Sequence, residues 1–341
     1  MSGTRAGVSR ASGRVSPARP SLDDLVTGIE AGDRGILSRA ITLAESRLDS
    51  DQALAQDVLV AVTGRTGGAV RLGLTGVPGA GKSTLIESLG LWLIERGHRV
   101  AVLVIDPSSA RTGGSILGDK TRMPRLSLAD GAYIRPSPSA GVLGGVAWRT
   151  REAMLLCEAA GFDVVIVESV GVGQSEAQLA EIVDTFCLLL VPGAGDELQG
   201  IKRGVVELAD IVAVNKADGD MVVAAKRAAG DYRHALRMLP PATPGWTTPV
   251  LTVSARDRSG LESLWEAVVA HRALLAGSGE LAVRRSAQQR RWLTTLLEET
   301  VLRRFRACPG YAEALAAAEV AVDAGEITVP QAVDSLANRQ P

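Results

Sequence analysis

The amino-acid sequence predicts an α/β fold: a doubly wound, mostly parallel β-sheet, preceded by helices and followed by a helical arm. Short apolar runs rich in Val, Ile and Leu recur through the middle of the chain. Runs of that composition suit strands that are covered on both faces. Helical patterns separate these runs, an alternation typical of a parallel sheet. The segments before and after this region have helical periodicity alone.

The region boundaries follow from changes in composition. Residues 1–20 are rich in arginine and serine and contain no acid and no hydrophobic stretch, so they are expected to form a disordered tail. A mitochondrial transit peptide is the alternative interpretation of this tail. Residues 21–66 are predicted to be helical, with Ser21 as the first N-cap. Residues 67–278 form the predicted α/β domain, and residues 279–341 the helical arm.

The predicted strands of the α/β domain are six apolar runs, namely VRLGLTG, RVAVLVID, FDVVIVESV, TFCLLLVP, DIVAVNKAD and PVLTVSA. The intervening helical patterns include STLIESLGLWLIERG, and GLESLWEAVVAHRAL follows the last strand.

The arm begins with a long amphipathic pattern, QQRRWLTTLLEETVLRRFR. A helix through this segment carries one apolar stripe opposite a strongly charged face. The stripe either packs on its own domain or pairs with a second subunit. We favour pairing into a homodimer, because the arm follows a domain that is already complete. The residues of the stripe are Trp292, Leu293, Leu296, Leu297, Val301 and Phe305.

The totals of charge and cysteine exclude several classes of function. Lys plus Arg number 37 and Asp plus Glu number 38, so no global positive field favours nucleic acid. The three cysteines have no CxxC spacing, which indicates neither a disulfide framework nor a metal site and fits the reducing cytoplasm. No apolar run approaches the ~20 residues of a membrane span. We therefore expect a cytoplasmic protein that binds neither nucleic acid nor membrane.

The segment GVPGAGKS, residues 76–83, matches the GxxxxGK[ST] pattern between a predicted strand and a predicted helix. Backbone N–H groups of such a loop point at phosphate oxygens, and the helix N-terminus adds positive charge. Lys82 is expected to reach the β- and γ-phosphates, and the Ser83 hydroxyl to bind Mg²⁺. The candidate residues for binding a nucleoside triphosphate here are Gly76, Gly79, Ala80, Gly81, Lys82, Ser83 and Thr84.

A second motif predicts that the base is guanine. Asn215, Lys216 and Asp218 form NKxD at the end of a predicted strand. The Asp218 carboxylate can accept hydrogen bonds from guanine N1–H and from its exocyclic amine, whereas adenine would leave the carboxylate unpaired. Lys216 is expected along the base, and Asn215 is expected to tie this loop to the phosphate loop. Ser254 and Ala255 end the next strand, where GTPases place a backbone amide on guanine O6.

Acidic residues beyond the ends of other strands are candidates for holding Mg²⁺, together with Ser83. Asp106 and Glu168 end predicted strands, and Asp119 lies in the loop after Asp106. Glu168 begins an ExxG motif followed by Val172, where regulatory GTPases have DxxG followed by a glutamine that orients water. The missing glutamine predicts slow unaided hydrolysis that a partner accelerates.

The glycine-rich segment VPGAGDELQGIKRG ends with two cations, Lys202 and Arg203. Either cation could stabilise charge on the transferring phosphoryl group, as an arginine finger does. A solvated loop at a helix start is the alternative, and it is favoured for Arg203.

Five segments together resemble the methylmalonyl-CoA mutase-associated GTPases of the MeaB/ArgK type. These segments are GVPGAGKST, DPSSARTGGSILGDKTRM, VESVGVGQSE, PGAGDELQGIKRG and NKAD, and the similarity extends over nearly the whole chain from about residue 21. The resemblance implies a P-loop GTPase fold and a homodimer that hydrolyses GTP to GDP. It further implies a chaperone that gates cofactor loading and reactivates an adenosylcobalamin-dependent acyl-CoA mutase, with cobalamin bound by the mutase.

The resemblance also implies roles for individual residues. In the family, the residues matching Lys82, Ser83, Asp106, Asp119 and Glu168 serve the phosphates and Mg²⁺. The residue matching Lys202 aids hydrolysis, which makes Lys82, Asp119, Glu168 and Lys202 the candidate catalytic set. Ser169 stands where threonine is usual.

Two other functions remain as alternatives. The first is an ATPase or kinase linked to basic amino-acid transport, which the preference of Asp218 for guanine opposes. The second is a metal-delivery GTPase, which usually carries Cys/His motifs or His-rich tracts that this sequence lacks. Methylmalonyl-CoA mutase is the leading candidate for the client, and isobutyryl-CoA mutase is the other.

Overall fold

The computed structural model describes residues 19–46, 48–106, 123–138, 145–169, 175–193 and 203–338. Its centre is a seven-stranded sheet of order β3-β2-β4-β1-β5-β6-β7, in which every pairing is parallel. The predicted doubly wound parallel sheet is therefore confirmed. The strands are β1 Val70–Gly76, β2 Val100–Asp106, β3 Ala132–Pro138, β4 Val164–Ser169, β5 Thr185–Leu190, β6 Ile211–Val214 and β7 Val250–Thr252.

The edge strand β3 is absent from the six strands that the sequence predicts. Its sequence, AYIRPSP, contains Arg135 and two prolines and does not have the continuous apolar character of the other strands. Proline has no N–H to donate to a ladder, so it is tolerated where only one neighbour is paired. Strand β3 pairs with β2 alone, which explains why this composition can form a strand here.

Helices cover both faces of the sheet and extend beyond it at both ends of the chain. They are α1 Leu22–Glu30, α2 Arg34–Glu45, α3 Asp49–Val62, α4 Lys82–Ile94, α5 Pro124–Leu128, α6 Gly145–Ala159, α7 Ser175–Ala180, α8 Arg203–Glu207, α9 Val222–Leu236, α10 Leu261–Gly277, α11 Glu280–Arg306, α12 Tyr311–Asp323 and α13 Val329–Ala337. Helices α4, α5 and α10 bury their apolar side chains against one face of the sheet. Helices α6, α7 and α9 lie against the other face.

The first helix of the chain begins where the sequence predicts, with Ser21 as its N-cap. The Ser21 hydroxyl accepts a hydrogen bond from the Asp24 amide at 3.1 Å, and the Asp24 carboxylate accepts one from the Ser21 amide at 3.1 Å. This capping box satisfies two donors that the first helical turn would otherwise leave unpaired. Leu25 and Ile41 of these helices are fully buried and share one core with α6 and the sheet. The N-terminal helices are thus packed on the α/β domain.

Glu152 is a buried carboxyl group where α3 meets α6. Its residue is 1% exposed, and it accepts a hydrogen bond from Gln56 Nε2 at 2.6 Å. Burial raises the pKa of Glu152 to about 7, because the hydrogen bond from Gln56 and the charge of Arg149 only partly offset the loss of hydration.

We expect Glu152→Gln to become more stabilising as the pH rises. Between the ordinary pKa of 4.5 and about 7, the folded wild type binds more protons than the unfolded chain, so its stability falls with rising pH. The neutral glutamine has no such dependence on pH. The free energy of unfolding of Glu152→Gln relative to that of the wild type should therefore rise by roughly 2 kcal/mol between about pH 5 and about pH 8. Denaturation curves at both pH values measure it, with the exposed Glu266→Gln as control. An effect of Glu152→Gln that is the same at both pH values would contradict the prediction.

The apolar stripe of the arm divides into two sides in the structure. Trp292 is half-buried and lies 5.5 Å from the Arg151 guanidinium of α6, while Phe305 packs on Tyr311 at 5.3 Å. On the other side, Leu293 and Leu297 are 68% and 59% exposed. One side of α11 therefore packs on its own chain, and the other side is open to a partner. None of the helices in the described ranges combines the length and apolar composition that crossing a membrane requires.

Candidate active site

The predicted site residues that the structure describes lie at the edge of the sheet formed by the carboxyl ends of its parallel strands. Strand β1 leads into the glycine-rich loop and α4, β4 ends just after Glu168, and β6 and β7 lead into the loops of Asn215 and Ser254. Ligands of open α/β sheets bind at this edge. The fold thus brings together segments that are far apart in sequence.

The glycine-rich loop has a conformation and a packing that require glycine at two positions. A Cβ at Gly76 would lie 2.2 Å from the Leu189 carbonyl oxygen of the neighbouring strand. Gly81 has φ 86°, and a Cβ there would lie 2.6 Å from Asn215 Nδ2. Helix α4 starts directly after it, at Lys82, and the first N–H groups of a helix have no intrahelical acceptor. The loop is therefore built to present backbone donors to an anion.

Lys82 places its charge over this loop. Its Nζ donates hydrogen bonds to the Gly76 carbonyl at 2.8 Å and to the Val77 carbonyl at 3.3 Å, and the residue is 7% exposed. The ammonium group is thus held beside the N-terminus of α4. The charge of the ammonium group and the positive end of the helix dipole both attract a phosphate.

Ser83 and Glu168 form the oxygen-rich part of the site. Ser83 Oγ donates to Glu168 Oε1 at 3.1 Å, and Glu168 is 4% exposed. Glu168 lies opposite Leu74 of β1, and the next pair along, Thr75 and Ser169, is joined by a 2.7 Å hydrogen bond between their hydroxyls. A buried carboxylate next to a hydroxyl matches the hard oxygen ligands of Mg²⁺.

Mg²⁺ at a nucleotide takes few protein ligands, since phosphates and waters complete its octahedron. In the described ranges, no cluster of three or more His, Cys, Asp or Glu could hold a metal by itself. The hydroxyl of Ser83 and the carboxylate of Glu168 fit a magnesium ion that binds together with a nucleotide.

Four predicted residues lie partly or wholly outside the described ranges, among them Arg203, whose backbone begins α8 while its side chain is not described. The backbone of Asp106 ends β2, where the sequence predicts it, while its side chain lies outside what the structure describes. Asp119 and Lys202 lie outside the described residues altogether. Their predicted roles stay predictions.

Asn215 joins the two loops that the sequence assigns to phosphate and base. Its Nδ2 donates to the Ala80 carbonyl at 2.8 Å, which is the link that the sequence predicts. Its Oδ1 accepts a hydrogen bond from the Ala255 amide at 3.1 Å, a contact that the sequence does not predict, since a backbone amide at this point is expected on guanine O6. Ser88 Oγ of α4 also donates to the Ala255 carbonyl, at 2.6 Å. The phosphate loop and the base loops are thus fixed to each other.

Asp218 is oriented by Ser254. The Ser254 hydroxyl donates to Asp218 Oδ2 at 2.5 Å and accepts from the Asp257 amide at 3.0 Å. Asp218 is half-buried, and Lys216 is exposed with φ 59°, a left-handed conformation that is uncommon outside glycine. The hydrogen bond from Ser254 turns Asp218 into a fixed acceptor with its other oxygen available for a base.

A parallel sheet with a glycine-rich loop between β1 and α4, and an NKxD loop after β6, defines a P-loop nucleotide-binding protein of the GTPase class. The match of a family model to residues 37–310 makes the assignment specific. The chain belongs to the family described as methylmalonyl Co-A mutase-associated GTPase MeaB.

Two named relatives and one solved structure are similar to this chain over most of its length. A protein of Caulobacter vibrioides named as a GTPase is 54% identical over 315 residues, which are 92% of this chain and 96% of the relative. The mouse methylmalonic aciduria type A homolog, a mitochondrial protein, is 45% identical over 325 residues, 92% of this chain and 78% of the relative. A crystal structure of a protein named LAO/AO transport system kinase is 38% identical, covers 93% of this chain and 96% of its own, and has a TM-score of 0.72. The protein is therefore a GTPase that hydrolyses GTP.

Proposed function

We propose that this GTPase is a chaperone of an adenosylcobalamin-dependent acyl-CoA mutase, with methylmalonyl-CoA mutase as the first client to test. The observation that carries the proposal is the family match, whose description names this mutase and which runs from residue 37, within α2, through the GTPase site to residue 310, just after α11. The mouse relative is named after methylmalonic aciduria, and methylmalonic acid is the acid from which the thioester methylmalonyl-CoA is formed. In this function, GTP hydrolysis gates cofactor loading and supports reactivation of the mutase, which itself binds the cobalamin.

The site residues have the following roles in the proposal. Lys82 and the N–H groups at the start of α4 bind the β- and γ-phosphates, and Asp218, oriented by Ser254, binds the guanine edge. Mg²⁺ bound beside the phosphates supplies positive charge that offsets theirs. The residues proposed to hold it are Ser83, Asp106, Asp119 and Glu168. Lys202 is proposed to stabilise charge that develops on the γ-phosphoryl group.

The chain's own sequence gives a reason for dependence on a partner. Val172 follows the ExxG motif, and an apolar side chain cannot hold the attacking water as the glutamine of regulatory GTPases does. We propose that the bound mutase completes the site by bringing Lys202 into position. We assign this activity to the cytoplasm, where a chain whose three cysteines are free is stable as it stands.

The test is single-turnover hydrolysis of GTP and of ATP, with and without an acyl-CoA mutase from the same genome. We expect slow GTP hydrolysis alone, at least a roughly tenfold rise with the mutase, and no ATP turnover. A GTP rate that the mutase does not change would contradict the chaperone proposal while leaving the GTPase activity intact. Turnover of ATP would instead support the transport-kinase function after which the structurally similar protein is named.

We further propose that the arm, residues 279–341, forms a homodimer through the exposed side of α11. Leu293, Leu297 and Val301 recur at a spacing of four residues and are 68%, 59% and 57% exposed. They form a continuous apolar stripe whose exposure to water is unfavourable, so a partner that covers it would stabilise the helix.

Leu297→Asp should convert the dimer to a monomer, because it buries a charge in the proposed interface. Sedimentation velocity measures the oligomeric state. Leu302→Asp is the matched control, since Leu302 is also exposed on α11 but lies on another face of the helix. A Leu297→Asp protein that remains dimeric would show that the dimer uses a different surface.

A further inference from the structure

Three side chains of the arm helix α11 bond the short segment at residues 181–184, which connects α7 to β5. Arg284 Nη1 donates to the Asp184 carbonyl at 2.6 Å, and Gln288 Nε2 donates to the Val183 carbonyl at 2.8 Å. Arg285 donates to both oxygens of the Asp184 carboxylate, from Nε at 2.9 Å and from Nη2 at 2.6 Å. The arm therefore holds both the backbone and the side chain of this connection.

Arg151 of α6 joins the same cluster from the other side. Its Nη1 donates to the Gln288 carbonyl at 2.6 Å, and its Nη2 donates to the Glu181 carbonyl at 3.0 Å. Burial lowers the pKa of Arg151 to about 10, with a contribution from the neighbouring charges of Arg71 and Arg291, so the guanidinium remains charged at neutral pH. One side chain thus links the arm helix directly to the end of α7.

These groups are too buried to exchange their partners for water. Gln288 is 2% exposed, Arg151 is 5% exposed and Asp184 is fully buried. Burial alone would lower the pKa of Arg285, but the hydrogen bonds and charge of Asp184 outweigh it and raise the pKa. Removing one partner would leave a buried polar group unpaired, which destabilises the folded state. The segment at residues 181–184 and the base of α11 are therefore expected to move together.

Residues 181–184 also pack against β1, the strand that leads into the phosphate loop. A Cβ at Gly73 of β1 would lie 2.9 Å from Val183 Cγ2 and 3.0 Å from Leu179 Cγ, so α7 and the connection are seated directly on this strand. Gly73 lies opposite Val167 of β4, and the next two residues of β1 contact the end of that strand: Leu74 lies opposite Glu168, and Thr75 is hydrogen-bonded to Ser169. A shift of residues 181–184 would therefore change the position of Glu168 relative to Ser83.

We propose that Gln288, held in place by Arg151, is a positioning residue for GTP hydrolysis. It fixes the connection after α7 and, through Gly73 and β1, the position of Glu168 relative to the phosphate loop. The guanine loop and the loop of Lys82 are held by separate contacts through Asn215. Loosening the arm contact therefore acts on the hydrolysis step and leaves nucleotide binding nearly unchanged. The proposal rests on the GTPase activity alone and is independent of the identity of the client.

The test compares Gln288→Ala with Gln289→Ala in the full-length protein. Gln289 is the adjacent, exposed glutamine of the same helix, so the control changes the same chemistry outside the cluster. We expect the single-turnover rate of GTP hydrolysis to fall about fivefold or more in Gln288→Ala, with the Kd for GDP within about twofold of wild type. Gln289→Ala should change neither. A merely structural role would lower Tm and leave the rate per bound nucleotide unaltered, and that result would overturn the proposal.

A second variant keeps the test decisive if Gln288→Ala folds poorly. Arg151→Met keeps an apolar chain beside Trp292 and removes both hydrogen bonds, and it should give the same fall in rate with the same Kd. A rate per bound nucleotide in Arg151→Met equal to that of the wild type would overturn the proposal.

Discussion

Lys82→Ala is expected to lower the single-turnover rate of GTP hydrolysis by about a thousandfold or more. The reaction places negative charge on the transferring phosphoryl oxygens, and catalysis consists largely of positioning and of fixed positive charge. Lys82, which we propose supplies that charge, is 7% exposed, so competing hydration of its ammonium group is weak. Hydrolysis measured with excess enzyme over radiolabelled GTP separates this loss from product release.

The control for Lys82 must separate lost charge from lost loop structure. Lys82 also donates hydrogen bonds to the carbonyls of Gly76 and Val77, so its removal takes a donor away from both carbonyl groups of the loop. Lys226→Ala, an exposed lysine on α9, controls for net charge and should hydrolyse GTP as the wild type does. Lys82→Arg keeps the charge, but the planar guanidinium does not match this tight loop, so we expect it to be slow as well. A Lys82→Ala protein within about tenfold of wild type would exclude the proposed role.

The parts of the molecule that the sequence predicts well are those whose residues determine structure locally. The loop at residues 76–83 sets its own conformation through glycine and its own helix start through Lys82. The strands with continuous Val, Ile and Leu are buried on both faces, and composition alone indicates such strands. Ser21 and Asp24 form a helix cap from neighbours three residues apart.

The parts that the sequence does not predict depend on contacts between distant segments. Strand β3 exists because β2 offers a free edge to a sequence that is not strand-like by itself. The arm stripe divides because Arg151, far away in sequence, covers Trp292 and leaves Leu297 exposed. The contact of Gln288 with Val183 likewise joins residues with no shared local pattern. Pairings of this kind need the tertiary structure, since many partners would satisfy the same hydrogen-bonding groups equally well.

The guanine site shows how a motif and a tertiary contact combine. The NKxD pattern predicts Asp218 as the acceptor for guanine, and the sequence includes Ser254 only as part of the end of the next strand. The structure adds that the Ser254 hydroxyl donates to Asp218 Oδ2 at 2.5 Å, which fixes the orientation of the carboxylate. An amide in place of this carboxylate would be oriented by the same hydroxyl: its oxygen would accept from Ser254, and its NH₂ group would be directed toward the base.

This orientation predicts that Asp218→Asn changes the base specificity. Guanine presents two donors, N1–H and the exocyclic amine, and an amide NH₂ repels the second, so the affinity for GTP should fall about a hundredfold or more. Xanthine has a carbonyl oxygen in place of that amine and can accept from the new NH₂ group, so XTP should bind more tightly than GTP. Competition between XDP and a fluorescent GDP measures the preference. Asp220→Asn, which changes an exposed acid two positions further on, should retain the preference for guanine. If Asp218→Asn binds GDP and XDP equally weakly, Asp218 supports the loop and does not contact the base.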